Sequence, residues 1–212
     1  KTIKKSGKEK TFRRALKASR SARKFGVNVS RTLFKQIINE LGGKLRLVIT
    51  GAAALAPDIC RDFEDFGIMV LQGYGMTECT PLITGTPQSA SRTRYDKSGS
   101  VGVPVETGTV RIINPDENGV GEILFKGPNV MLGYYNLPEA TDEVLEDGWL
   151  RTGDIGYFDA DGWLFLTGRA KNVIVTNAGE NIYPEEIEDY INRHQYISDS
   201  MVFASGESED VV

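Results

Sequence analysis

Cysteine and histidine are scarce in this chain, which has two cysteines, Cys60 and Cys79, and one histidine, His194, among 212 residues. Two cysteines are too few for a disulfide framework, and one histidine cannot build a His-rich metal centre. No run approaches the roughly 20 apolar residues of a membrane-spanning helix, and nothing resembles a signal peptide. These absences suit a cytoplasmic protein. Cys79 follows Glu78, but His194 lies far along the chain in a polar stretch, so Cys79 reads as a plain small residue and not a nucleophile. His194 reads as a solvated helix residue. What is present is enough to fold, because 40% of the residues are hydrophobic and the length suits one or two domains. The chain opens on Lys1 and closes on Val212, soon after the strand-like Ser200 to Ala204, so it is expected to be an internal piece of a longer protein.

The net charge of -4 hides an uneven distribution. Residues 1 to 24 hold Lys1, Lys4, Lys5, Lys8, Lys10, Arg13, Arg14, Lys17, Arg20, Arg23 and Lys24 against Glu9, leaving the rest strongly acidic. Phe12, Ala15, Leu16, Ser19, Ala22 and Phe25 fall at helical spacing. The segment therefore reads as a basic, weakly amphipathic helix, with two uses: peripheral contact with an anionic membrane, or packing on its own domain. The thin apolar face favours packing. Nucleic acid is not expected, since the chain has no zinc knuckle or aromatic RNA-binding motif and the remaining surface is acidic.

Further along, Lys44 to Thr50 reads as a strand and Pro57 to Phe66 as a helix with Ile59, Phe63 and Phe66 on one face. Ile68 to Gln72, nearly all apolar, is the next strand. This is a βαβ unit, whose parallel strands bring Gly51-Ala52-Ala53 and Gly73-Tyr74-Gly75 to one sheet edge. From Gly99 the texture changes to short β segments, Val101 to Val105, Thr109 to Ile113 and Gly121 to Lys126, as in a small antiparallel barrel or sheet. A helix follows over Pro138 to Leu145. A hairpin turns at Asp159-Ala160-Asp161-Gly162, which lacks the spacing and final Glu of a calcium loop. Val173 to Thr176 is a further strand, and Pro184 opens a helix with an acidic first turn. The expected fold class is α/β, with a basic helical segment over 1–44, part of a nucleotide-binding α/β domain over 45–98, a β subdomain over 99–170, and a hinge with the start of an α+β domain over 171–212.

The most informative segment is Gln72-Gly73-Tyr74-Gly75-Met76-Thr77-Glu78. At a strand end it joins bare backbone, an aromatic face, a hydroxyl and a carboxylate, which suits a nucleotide and its metal. Gly51-Ala52-Ala53, Arg151-Thr152-Gly153-Asp154, Gly168-Arg169-Ala170-Lys171 and Gly179-Glu180-Asn181 follow in an order and spacing that resemble the adenylate-forming (AMP-binding) superfamily. Gly121 to Gly127 and Gly133-Tyr134-Tyr135 fit the same pattern. The segment from Phe25-Gly26 to Arg46 looks most like long-chain fatty acid-CoA ligases.

The resemblance implies a two-step reaction. A carboxylate attacks the α-phosphate of Mg-ATP to give acyl-AMP and pyrophosphate, and the thiol of coenzyme A then takes the acyl group. It assigns Tyr74 to the adenine face, with Gly51, Ala52 and Ala53 as the opposite wall. Gln72, Gly73, Gly75 and Met76 complete the nucleotide segment. Thr77 is assigned to the α-phosphate, Glu78 to Mg²⁺, Asp154 to the ribose hydroxyls and Arg169 to ribose or phosphate oxygens. Lys171 falls at the hinge, and Gly179, Glu180 and Asn181 approach the pantetheine of CoA. The family's phosphate loop and its C-terminal activating lysine have no counterpart in this sequence, and Ala178 stands where a glycine is common. Losing oriented cationic groups at a transferring phosphoryl group costs on the order of a hundredfold each, so the chain alone is expected to be inactive. Two other readings fit the same motifs: an adenylation domain loading a carrier protein, and a non-catalytic nucleotide-binding relative.

Overall fold

The structure, a computed structural model, describes residues 9–25, 27, 29–52, 55–89, 91–176, 180–194 and 196–204. It divides into two compact units, the first running up to Gln72 and including Thr86–Gly99, the second made of Gly73–Gly85 and the chain from Ser100 onward.

In the first unit, helices α1 (Glu9–Lys24), α2 (Ser30–Leu33) and α3 (Lys35–Glu40) precede strand β1 (Leu47–Thr50), helix α4 (Pro57–Asp65), strand β2 (Met69–Gly75) and helix α5 (Ser91–Asp96). β1 and the first half of β2 pair in parallel, from Leu47 with Met69 to Thr50 with Gln72. With α4 between them, this is the βαβ unit read from the sequence. Pro57 starts α4 because its missing N–H costs nothing at the first helical position.

The buried face of α4 differs from expectation. Cys60, Glu64 and Asp65 are buried, whereas Ile59 is exposed. The inward carboxylates are tolerated because guanidinium groups meet them. Arg20 Nε donates to Asp65 Oδ2 at 2.7 Å and Arg94 Nε to Glu64 Oε1 at 2.7 Å, while Arg23 donates to the Glu64 carbonyl. Glu64 Oε1 also accepts from Val70 N at 3.2 Å, tying α4 to β2.

α1 packs on its own unit. The Phe12 ring meets Phe34 edge-on at 5.8 Å between centroids, and Phe34 meets Phe66 at 5.1 Å. Ser19, also buried, hydrogen-bonds Ser30 Oγ at 2.8 Å. Phe25, expected on that face, lies just past the helix end and is 84% exposed.

The second unit holds the last residues of β2, then β3 (Leu82–Gly85), β4 (Val103–Pro104), β5 (Thr109–Ile113), β6 (Gly121–Lys126), helix α6 (Pro138–Val144), β7 (Leu145–Glu146), β8 (Trp149–Phe158), β9 (Leu164–Arg169), β10 (Ile174–Val175), β11 (Asn181–Ile182) and helix α7 (Pro184–Asn192). All their pairings are antiparallel. β5, β6 and β8 lie side by side, with β7 on the start of β8 and β9 on the rest. Inward residues alternate along β6, where Gly121, Ile123 and Phe125 are buried. Ile123 and Phe125 join Tyr74, Cys79, Ile83, Val101, Leu150 and Leu164 in the core. The Asp159–Gly162 segment is a turn closed by the Asp159 carboxylate, which accepts from Asp161 N and Trp163 N.

Several expected boundaries move. β2 does not end at Gln72 but runs on through Gly75, because Gly73, Tyr74 and Gly75 find a new antiparallel partner in β3. The strands expected over Val101–Val105 and Val173–Thr176 shrink to Val103–Pro104 and Ile174–Val175. Ser200 to Phe203 is not a strand. His194 lies in a bend two residues past the end of α7.

Candidate nucleotide-binding site

Two side-chain clusters in the second unit gather Tyr74, Asp154 and Arg169, and Met76, Thr77 and Glu78, among the sequence-predicted residues. The first centres on Asp154, in β8 opposite Arg169 of β9, a cross-strand pair on one face of the sheet. Arg169 Nη1 donates to Asp154 Oδ1 at 2.6 Å, and the Tyr74 hydroxyl donates to Oδ2 at 2.6 Å. Residues 80 and 95 positions after Tyr74 thus meet at one carboxylate. Gly153 turns the strand with φ +69, a conformation glycine adopts without cost. The Asp154 N–H then bonds buried Thr152 Oγ1 at 3.1 Å, and that hydroxyl donates to the Ile123 carbonyl at 2.8 Å. Tyr74 is only 7% exposed, so little of its ring is open for stacking within this unit. Burial pushes the Tyr74 phenol well above its ordinary range, and the Asp154 charge and hydrogen bond push it the same way.

The second cluster is built on the 3-10 turn Thr77–Cys79, entered from Met76 in extended backbone. Thr77 is exposed, and Glu78 half-buried. Tyr134 OH donates to Glu78 Oε1 at 2.8 Å, and Met131 N donates to the Glu78 carbonyl at 2.7 Å. Cys79 is fully buried, its thiol bonded to the Met76 and Pro81 carbonyls and pushed up by burial first of all. A neutral, inaccessible thiol is no nucleophile. Gly75 has a reason other than ligand approach, since a Cβ there would sit 1.7 Å from the Pro81 carbonyl oxygen. The β2–β3 hairpin closes only over a bare backbone.

The remaining predicted residues fall outside these clusters. Gly51 and Ala52 are exposed in the first unit, with Ala52 at φ +65, and Ala53 lies outside the described residues. Gln72, buried in the same unit, exchanges hydrogen bonds with Thr86, whose N–H reaches the Gln72 carbonyl at 2.8 Å. Gly73 is within the strand, its Cβ position 3.0 Å from Leu82. Lys171 is exposed in the 3-10 turn after β9. Glu180 and Asn181 are exposed at the β10–β11 hairpin, and Gly179 lies outside the described residues.

Three residues of the site had no assigned role in the sequence: Tyr134, Thr152 and Asn129. The Asn129 amide donates to the Leu82 carbonyl at 3.0 Å and to the Cys79 carbonyl, closing the turn from its far side. A lone amide in the loop Gly127-Pro128-Asn129 is the only local hint.

The donor set suits magnesium. That ion is commonly held by one or two carboxylates together with substrate phosphates. Glu78 supplies one carboxylate beside the exposed Thr77 hydroxyl, and among the described residues no group of three or more His, Cys, Asp or Glu forms an all-protein cage.

A family model for AMP-binding enzymes matches residues 5–135. The chain belongs to the AMP-binding enzyme family. It is 39% identical over 203 residues to a long-chain-fatty-acid–CoA ligase of Yersinia pestis, a match covering 88% of this chain and 35% of that protein. It is 40% identical over 179 residues to a sulfoacetate–CoA ligase of Cupriavidus necator, covering 79% and 34%. Among solved structures it resembles the O-succinylbenzoate Coenzyme A synthetase of Bacillus subtilis in complex with AMP, at TM-score 0.71 and 30% identity over 84% of this chain and 38% of that one. The same enzyme in complex with ATP and magnesium ion gives 0.69 at 30% identity over 82% and 38%. This AMP-binding chain thus spans about a third of the length of the curated relatives it matches.

Proposed function

We propose that this chain is the nucleotide-site portion of an ATP-dependent, AMP-forming long-chain fatty acid–CoA ligase, and that these residues alone do not turn over. The observation that carries the reading is the Asp154 carboxylate held between Tyr74 OH and Arg169 Nη1, both at 2.6 Å. Each carboxylate oxygen has two acceptor sites, so Asp154 keeps capacity for a vicinal ribose diol while both partners stay bonded. Tyr74 orients that carboxylate, and stacking of adenine on its ring requires the groups covering it to move aside. Arg169, about half exposed, faces solvent as a fixed cation for ribose or phosphate oxygens. Thr77 offers its hydroxyl to the α-phosphate, and Glu78 is the carboxylate for Mg²⁺. When bound, the ion offsets charge developing on the phosphates. Lys171 follows β9 as the hinge, and Glu180 and Asn181 face the pantetheine of CoA. A long-chain acyl substrate is favoured over sulfoacetate by coverage, 88% of the chain against 79% at similar identity.

The same reading places the enzyme in the cytoplasm, where the free, buried thiols of Cys60 and Cys79 stay reduced. Peripheral contact with an anionic membrane is assigned to the outer face of α1. Calorimetric titration of AMP tests the site. The chain binds AMP weakly, and Asp154→Ala weakens it by roughly tenfold or more, the loss of a hydrogen bond to a charged group. Equal affinities in the two proteins would remove Asp154 from the site and with it the reading.

A further inference from the structure

We infer that Tyr134 is a positioning residue that sets the orientation of the Glu78 carboxylate, and thereby the strength with which Glu78 holds the magnesium of Mg-ATP. The inference rests on the functional reading above and adds to it a residue and a device.

The loop from Gly127 to Tyr134 grips the Thr77–Cys79 turn at three points. Asn129 bonds the Cys79 and Leu82 carbonyls, Met131 N bonds the Glu78 carbonyl at 2.7 Å, and Tyr134 OH bonds Glu78 Oε1 at 2.8 Å. The first two fix the backbone of the turn, and the third fixes the side chain. Glutamate has three rotatable bonds and loses rotamer entropy when immobilised. A carboxylate that is already held meets its cation without that cost. The hydroxyl occupies Oε1 and leaves the second oxygen for a hard cation.

Tyr134 is itself held from behind. Its N–H donates to Thr141 Oγ1 at 2.9 Å, and that hydroxyl donates at 2.9 Å to the carbonyl of Leu137, the residue just before α6. The preceding Gly133 sits at φ +148, and a Cβ there would lie 2.9 Å from the Thr141 methyl. The chain Thr141 to Tyr134 to Glu78 therefore delivers the rigidity of a helix start to one carboxylate oxygen. Groups that orient metal ligands in this way are worth 10–100-fold in metal affinity.

The test uses the full-length ligase and calorimetric titration of ATP with and without magnesium, alongside thermal unfolding. Tyr134→Phe removes only the hydroxyl and keeps the ring. The expected result is a loss of about tenfold in the enhancement that magnesium gives to ATP binding, with metal-free ATP affinity and the unfolding midpoint little changed. Glu78→Gln is the companion variant and is expected to abolish the enhancement. If Glu78→Gln keeps it, Glu78 is not the metal carboxylate and the functional reading of that residue fails. If Glu78→Gln loses it while Tyr134→Phe retains the full enhancement, the inference about Tyr134 alone is overturned. Should Tyr134→Phe weaken metal-free ATP binding and thermal stability equally, its role is structural and the inference fails as well.

Discussion

Tyr74 shows how the structure adds a partner that the neighbours in sequence do not name, because its hydroxyl donates to Asp154 at 2.6 Å. Between two glycines it reads as an open aromatic face; the residue is 7% exposed and its hydroxyl donates to Asp154. The commitment has a pH consequence. Burial first, and the Asp154 charge second, raise the folded phenol above the ordinary value of about 10. The native state therefore keeps this proton where the unfolded chain has begun to release it. The contribution is complete below about pH 10 and declines as pH rises toward the folded value. Urea unfolding from pH 9 to pH 11 is expected to show falling stability in the wild type and a shallower decline in Tyr74→Phe. The slope does not vanish, because Tyr95, Tyr134 and Tyr183 are raised too. At pH 8 the variant is expected to be less stable by about 1–3 kcal/mol, for the acceptor left short of a partner. Identical slopes would show that Tyr74 does not titrate as described.

At the scale of elements, the helical period of α1 and the bounds of β5 and β6 were readable in advance, because local pattern alone decides them. The face of α4 was not, since Glu64 and Asp65 turn inward only where Arg20, Arg23 and Arg94 arrive from other helices. The extension of β2 through Gly75 depended likewise on β3, whose Pro81 carbonyl excludes any side chain at that position. α1 itself divides its labour. Its inner side carries Phe12 and Ser19, while Lys10, Arg13, Arg14 and Lys17 are exposed along a helix with no acid from residue 10 to residue 24. Each such cation is worth about 1 kcal/mol near an anionic leaflet. Sedimentation is expected to show binding to phosphatidylserine-containing vesicles at low salt, little binding to pure phosphatidylcholine, and release at high salt. Exchange of the four cations for Gln should abolish the difference. Salt-independent binding to both vesicles would rule out this electrostatic mode.

For the molecule as a whole, the chain spans about a third of its curated relatives, and the resemblance to the family implies further cationic groups on the transferring phosphoryl. Removing such groups costs on the order of a hundredfold each. The proposed reading therefore expects no fatty-acid-dependent pyrophosphate release from the 212-residue chain. Steady turnover by the purified chain would show that its own residues suffice.

By itself the sequence determined the family, the parallel βαβ unit and the order of the motifs, because these rest on periodicity, on glycine and proline placement, and on spacing along the chain. Only the tertiary structure decided which of those side chains bond one another. Tyr74 and Asp154 are 80 residues apart in sequence, and Glu78 and Tyr134 are 56 apart. Their hydrogen bonds form because antiparallel strand register and one gripping loop bring distant donors within 3 Å of a carboxylate, and nothing local records that register.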